Sequence, residues 1–302
     1  MRKSTRTFIY GVALGMLGIV LFSSKAVMVK LAYNCEVDAI SVLLLRMVFS
    51  FPFYLIIAFI YRNKNTSKYI TKIDYYWVII FGIVGYYLAS YFDFVGLIYI
   101  KASLERIILF IYPTIVLLLN KWFLKRPITK VQAGAIALTY LGILIAFSDE
   151  VNVSGSNVFL GGFFIVLSAI TYASYLVGSG WLIPKFGVVQ FTSYAMLVSC
   201  ICVFIHYSII AEVSILSYSW EVYLLGFLIA VFATVVPSFL VSASIKLINS
   251  SNFAAIAGIG PISTIVLASI FLNEKLTLLQ LFGTLVVIVG ILLVSIQKRK
   301  GN

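Results

Sequence analysis

Charge is what this chain has least of. Of its 302 residues, 11% are Asp, Glu, Lys or Arg and 62% are hydrophobic, whereas a soluble domain carries about 25% charged residues. So few charges cannot cover a surface in water, and the mean hydropathy of +1.10 agrees. There is one histidine, too few for a His-rich metal centre, and no nucleophile–His–acid set is found. Three cysteines give no disulfide framework. Cys200 and Cys202, two apart on a helix, face different ways and cannot share a bridge or a metal. No GxxxxGK[ST] loop is present, which excludes a nucleotide-driven pump. Nor is there the alternation in ~10-residue strands that a membrane β-barrel needs.

Long apolar runs are what the sequence has instead. A bilayer core of ~30 Å takes ~20 apolar residues as a helix. Ten segments qualify, at roughly 8–32, 39–61, 76–99, 102–122, 130–148, 158–182, 188–211, 219–246, 251–272 and 278–296. The first comes after Arg2, Lys3 and Arg6 as a signal peptide would, but runs to about Tyr33 without a small-residue cleavage site. It is read as a retained span. The connections are short, and the expected class is an all-α membrane protein.

The net charge of +12 could suggest nucleic acid, but the basic residues sit between apolar segments. With the N-terminus inside, the inner segments hold sixteen: Arg2, Lys3, Arg6, Arg62, Lys64, Lys68, Lys72, Lys121, Lys125, Arg126, Lys130, Lys185, Lys246, Lys298, Arg299 and Lys300. The outer ones hold three, Lys30, Lys101 and Lys275. By the positive-inside rule both termini are cytoplasmic. Outer segments collect the acids Glu36, Asp38, Asp149, Glu150, Glu212, Glu221 and Glu274.

The two halves match. A shift of 148 residues lays Ser103 on Ser251, Ile108 on Ile256 and Pro113 on Pro261. It also lays Phe123-Leu124 on Phe271-Leu272, Thr129 on Thr277, Gln132 on Gln280 and Gly142-Ile-Leu on Gly290-Ile-Leu. The halves are 8–148 and 158–296, with five spans each. An odd number puts the copies in opposite orientation, giving ten transmembrane helices as two inverted five-helix repeats. In transporters of that architecture the substrate sits near the repeat interface.

The repeated pattern reads Ser103…Pro113…Lys125-Arg-Pro-Ile-Thr…Gln132…Gly142 and Ser251…Pro261…Asn273-Glu-Lys-Leu-Thr…Gln280…Gly290. Each half resembles one repeat of the EamA-type family of the drug/metabolite transporter superfamily. The opening helix with Leu21-Phe-Ser-Ser-Lys-Ala26 and the Arg46 of the second helix fit the same family. The resemblance implies a ten-helix secondary transporter working by alternating access, often an exporter of amino acids or other small metabolites. Where many relatives carry an acid at the first-repeat turn, this chain has Lys125-Arg126; the second repeat keeps Glu274.

Ionisable residues in a span cost roughly 2.5–3.5 kcal/mol near the centre. Five lie well inside: Lys25, Arg46, Asp93, Glu105 and Arg106. All belong to the first repeat and fall at one level, toward the outer side. Pairing between helices is the alternative to a site, for example Asp93 with Arg46 and Glu105 with Lys25 or Arg106. One cation is then left over, a partner for an anionic substrate group. Glu105 and Asp93 are the candidates for a coupling proton. His206 titrates in the useful range and lies at a similar depth. Mid-span Tyr91, Tyr112, Tyr172 and Tyr175 are candidates for lining a cavity, and Asn252 offers neutral hydrogen bonds from the second repeat. Pro113, Pro237 and Pro261 are hinge or kink candidates.

The expected function is therefore export of a small anionic or zwitterionic metabolite by a multi-pass protein of the cytoplasmic (inner) membrane. Efflux of drugs or toxic compounds is the alternative within transport, and a membrane enzyme or sensor lies outside it. Expected partners are the lipid bilayer and a small-molecule substrate, with a homodimer allowed. Nucleic acid, metal and cofactor are not expected.

Overall fold

A computed structural model describes residues 2–61, 70–124, 130–154, 157–211, 214–256 and 259–297. Several expected landmarks fall outside them: the basic residues at 62–69, 125–129 and 298–302, Glu212, and the side chains of Gln132, Asp149, Glu150 and Ser251. The inside–outside assignment therefore rests on the sequence.

Hydrocarbon offers no partner to a free backbone N–H or C=O, so a span must bond within itself. The described elements are accordingly helices, with no strand among the described residues. They are α1 (Arg2–Tyr33), α2 (Ala39–Tyr61), α3 (Lys72–Gly82), α4 (Ala89–Tyr99), α5 (Ala102–Leu109), α6 (Tyr112–Leu124) and α7 (Lys130–Ser154). The remaining six are α8 (Asn157–Phe186), α9 (Val188–Ile210), α10 (Trp220–Ala230), α11 (Val236–Ile256), α12 (Ile259–Phe271) and α13 (Leu278–Gln297). Among the described residues seven helical stretches are long and apolar enough to span. Shorter apolar helices at Ile136–Ala146, Ile259–Phe271 and Leu278–Gly290 lie in the fifth, ninth and tenth expected segments. This is a multi-pass membrane protein.

Its helices are interrupted at matching places. A π turn, Ile83–Leu88, joins α3 to α4, and another, Val231–Val235, joins α10 to α11. Lys101, extended at φ −67° and ψ 153°, precedes α5, while Asn249, left-handed at φ 64° and ψ 163°, breaks α11. Positive φ with ψ near 180° is strained for any residue but glycine. These landmarks, and the starts of α3 and α10, are all 148 residues apart. The period read from side chains is also the period of the backbone irregularities.

The fourth expected span is not one helix. It breaks at Phe110 (φ −66°, ψ 5°), and α6 restarts with Pro113 as its second residue. A proline there lacks an N–H the first turn would not use, and it cannot continue a helix behind it. Pro237 follows the second π turn within the continuous helical stretch Trp220–Ser250, and Pro261 lies in α12, beside residues 257–258 that are outside the described ones. Of the three kink candidates Pro113 is thus a helix start and Pro237 lies within a helix, as Pro52 and Pro184 do in α2 and α8.

Ends and crossings are set by specific groups. Asp38 caps α2, accepting the Ser41 amide at 3.0 Å. Partial burial raises this carboxyl, but hydrogen bonds from Ser41, Tyr218 and Ile40 outweigh it and hold Asp38 below the usual carboxylate range. Asp74 caps α3 through Thr71 and accepts Lys185 of α8 at 2.6 Å. The α7–α13 crossing is a reciprocal glycine contact. A Cβ on Gly142 would stand 2.6 Å from the Gly283 carbonyl, and one on Gly283 would stand 2.6 Å from the Gly142 carbonyl.

We expect Gly142→Ala and Gly283→Ala each to cost about 1–3 kcal/mol by overpacking. Gly134→Ala, with nothing within 4 Å of the new methyl, should be neutral or slightly stabilising. Thermal unfolding of the purified variants in detergent checks the contrast.

Candidate functional site

The five intramembrane charges do meet at one place. α1 and α4 pack side by side, and the Lys25 Nζ lies 2.6 Å from Asp93 Oδ2. α5 brings Glu105, fully buried, against Asp93. The next residue, Arg106, turns about 100° away and donates to Ser23 Oγ at 3.2 Å. On α2, Arg46 is 2% exposed. It donates to Thr234 Oγ1 at 2.7 Å and to Ser90 Oγ at 2.8 Å, with its guanidinium 5.6 Å from the Phe94 ring centroid.

These pairings differ from the expected ones. Asp93 pairs with Lys25 rather than with Arg46, whose nitrogens go to hydroxyls on both sides of the bundle. Neither Glu105 oxygen has a hydrogen-bond donor among the described residues. The reason is geometric: Arg46 lies across from the π turn of Val231–Val235, which presents Thr234. That residue's hydroxyl also donates to the Ile229 carbonyl five residues back, at 2.9 Å.

Between these groups runs a cleft with about 640 Å³ of empty space, part of it continuous with the outside. Lys25, Arg46 and Arg106 line it together with Phe22, Tyr86, Tyr112, Tyr172 and Phe253, and Ser90 and Ser168 add hydroxyls. Asp93 and Glu105 are not on its wall; they sit behind Lys25. The wall therefore carries three cations and no acid. Such a surface suits a small molecule with an anionic group and an apolar or aromatic body.

Glycine makes part of this possible. A Cβ on Gly260 would stand 2.8 Å from an Arg106 nitrogen, so in this position the arginine head lies against the bare backbone of α12 and a side chain there would displace it. Ser23 completes the junction, donating to the Gly260 carbonyl at 3.2 Å and to its own helix at Ile19. At Gly85 a Cβ would overlap the Tyr175 Cβ, which fixes the approach of α8 to the first π turn.

Other expected site residues fall in different surroundings. Tyr112 and Tyr172 line the cleft. Tyr175 is fully buried one layer behind, with its hydroxyl 2.8 Å from that of Tyr86 and its ring stacked on Phe191. His206 is away from the cleft, 3.1 Å from the Tyr87 hydroxyl and against the Tyr91 ring. Asn252 does not line it either; its backbone N–H donates to the capping Asn249 Oδ1 at 3.0 Å. The second-repeat wall comes from Phe253 instead.

Tyr86, Ser90 and Thr234 are site residues the sequence reasoning missed. A signal for two of them was available: Tyr86, Ser90 and Asp93 are spaced i, i+4, i+7, one face of a helix. Glu274 was noticed only as part of a repeat pattern, yet it has a definite task. Its carboxylate accepts the Ala102 amide at 2.9 Å, the Ser103 amide at 3.1 Å and the Ser103 hydroxyl at 2.5 Å. It caps, from the second half of the chain, the helix that carries Glu105 and Arg106 in the first.

Among known proteins, the model of the EamA-like transporter family matches residues 9–148 and, a second time, residues 159–296. The uncharacterized transporter YcbK of Bacillus subtilis (strain 168) is 30% identical over 273 residues, covering 89% of this chain and 87% of its own. The uncharacterized transporter sll1319 of Synechocystis sp. (strain ATCC 27184 / PCC 6803 / Kazusa) is 26% identical over 210 residues, 68% of this chain and 62% of its own. A crystal structure described only as that of a protein matches 96% of this chain and 98% of its own with a TM-score of 0.68, at 12% identity. That likeness is one of fold alone.

Glu274→Gln keeps the shape but turns an amide toward backbone donors, so we expect a loss of roughly 1–3 kcal/mol. In transport, the substrate affinity should fall more than the maximal rate, because Arg106 sits one turn into the helix that loosens. Glu274→Asp should recover only part of either. Melting curves and transport kinetics of the two variants together check this.

Proposed function

The chain belongs to the EamA-like transporter family of the drug/metabolite transporter superfamily, and from that membership we propose that it is a secondary transporter exporting a small anionic or zwitterionic metabolite. The observation that carries the substrate class is the cleft wall, with Lys25, Arg46 and Arg106 on it and no acid among its lining residues. Arg106 and Lys25 are the side chains best placed to take an anionic group, since Arg46 already spends two donors on Thr234 and Ser90. The aromatic rings around them would cover the rest of the substrate.

On this reading the ten apolar segments are ten spans, and the halves are inverted repeats that rock about the cleft to expose it alternately to each side. The 148-residue recurrence of π turns and helix starts supports the repeat, and the odd span count of each half supports the inversion. The contacts that would have to exchange are those between halves: Arg46 with Thr234, Ser23 with the Gly260 carbonyl, and Glu274 with α5. The cytoplasmic membrane, with both termini inside, is supported by the charge asymmetry of the loops. Efflux of a cationic drug is disfavoured by the same three cations.

Proteoliposomes carrying the full chain test the proposal, with radiolabelled small carboxylates compared against their neutral amides. The carboxylates should be transported and the amides should not. Arg106→Gln should raise KM for the carboxylate on the order of 10-fold or more, about 1.4 kcal/mol or above. Undiminished carboxylate transport in Arg106→Gln, Lys25→Gln and Arg46→Gln alike would sink the anionic assignment.

A further inference from the structure

Asp93 on α4 and Glu105 on α5 bring their carboxyls against each other. Both are nearly or wholly buried, at 1% and 0% exposure. Apart from that mutual contact, no N–H or hydroxyl among the described residues donates to any of their four oxygens, and Lys25 forms the ion pair at 2.6 Å. A wholly buried carboxyl with no hydrogen-bond donor and no ion pair among the described residues is too costly to keep ionised, so Glu105 carries a proton beside the paired Asp93. Two negative charges side by side in hydrocarbon against one ammonium would also leave a charge uncompensated.

The groups that face this pair can be named helix by helix. α1 contributes Lys25 and the Tyr33 phenol, α2 contributes Arg46, and α5 contributes Arg106. α8 contributes the Tyr172 phenol near Arg106, while Gly260 and Thr264 of α12 meet Ser23 of α1. Of the three cations on the cleft wall, Lys25 is the one in ion-pair contact with the carboxyl pair among the described residues, and neither carboxyl lines the cleft. An anion arriving in the cleft therefore competes with Asp93 for one ammonium.

We propose that Asp93 and Glu105 form a proton-binding site, which holds one proton while Lys25 is paired with Asp93 and takes up a second when an anion in the cleft draws Lys25 away. In that exchange the Lys25–Asp93 contact breaks and the Lys25–anion contact forms. The Asp93 carboxylate accepts a proton from water entering by the cleft, and Lys25 keeps its own three protons. One negative and one positive charge enter together, so the buried charge does not change. Anion and proton thus bind cooperatively, and anion affinity rises as pH falls. The anion half of this rests on the cleft reading above; the proton half does not.

Infrared spectroscopy of the purified full chain, at neutral pH and with no substrate, tests it. The carbonyl band of a protonated carboxyl should be present and should shift in D₂O. It should vanish in both Glu105→Gln and Asp93→Asn, since each leaves one carboxyl for one ammonium. Lys25→Met removes the ammonium as an arriving anion would, and should bring the band to about twice its intensity. Absence of the band in the unmodified chain, or its survival in Glu105→Gln, overturns the proton site. An unchanged intensity in Lys25→Met overturns the exchange. These readouts need no transport, so they fail or hold separately from the proteoliposome result.

Discussion

An ammonium in hydrocarbon has no water to fall back on, and the Lys25–Asp93 contact at 2.6 Å is how this bundle meets that constraint. It ties α1 to α4, and by holding Lys25 at the boundary it sets which charges reach the cleft. Arg46 solves the same problem without an acid, using two hydroxyls and an aromatic face. Arg106 donates to Ser23 and lies against a helix neighbour with no side chain. Burying one member of an ion pair alone would cost several kcal/mol, so these placements are interdependent. The packing of α1, α2, α4, α5 and α12 is set by the need to satisfy a handful of polar atoms.

The irregular backbone serves the same end. A regular helix can present a polar side chain but cannot change which face it presents midway. The π turns at 83–88 and 231–235 do this: each adds a residue to the turn and rotates the helix beyond it. On the first turn sits Tyr86, and Asp93 lies past it; on the second sits Thr234, which receives Arg46. Their recurrence at one spacing means the two halves were bent in the same place and filled with different chemistry, charged in the first and neutral in the second.

Much of the fold was legible because it depends on composition and period. The apolar runs fell on helices, and the internal shift of 148 residues read from Ser103, Pro113 and Gly142 reappeared in the backbone. That the five charges would cluster was legible too, because an isolated one is too costly to place at random. The pairing was not. Choosing Lys25 over Arg46 as the partner of Asp93 depends on which helix neighbours which and on a π turn that no local preference announces. Nor could sequence spacing reveal that the Asn249 side chain would cap the Asn252 backbone while Phe253 faced the cleft. His206 had the right depth and the wrong azimuth. Glu274 was visible as a repeated acid, but its role lies with residues at the other end of the chain.

That last contact spans 172 positions between Ala102 and Glu274. A ribosome adding ~5–20 residues per second needs on the order of 10–30 s to cover the distance. Through that interval the amides opening α5 are made but their acceptor does not yet exist. Until Glu274 is made, those amides have to take water or another acceptor in its place. The charged half of the bundle is thus the first to be made and the last to be closed.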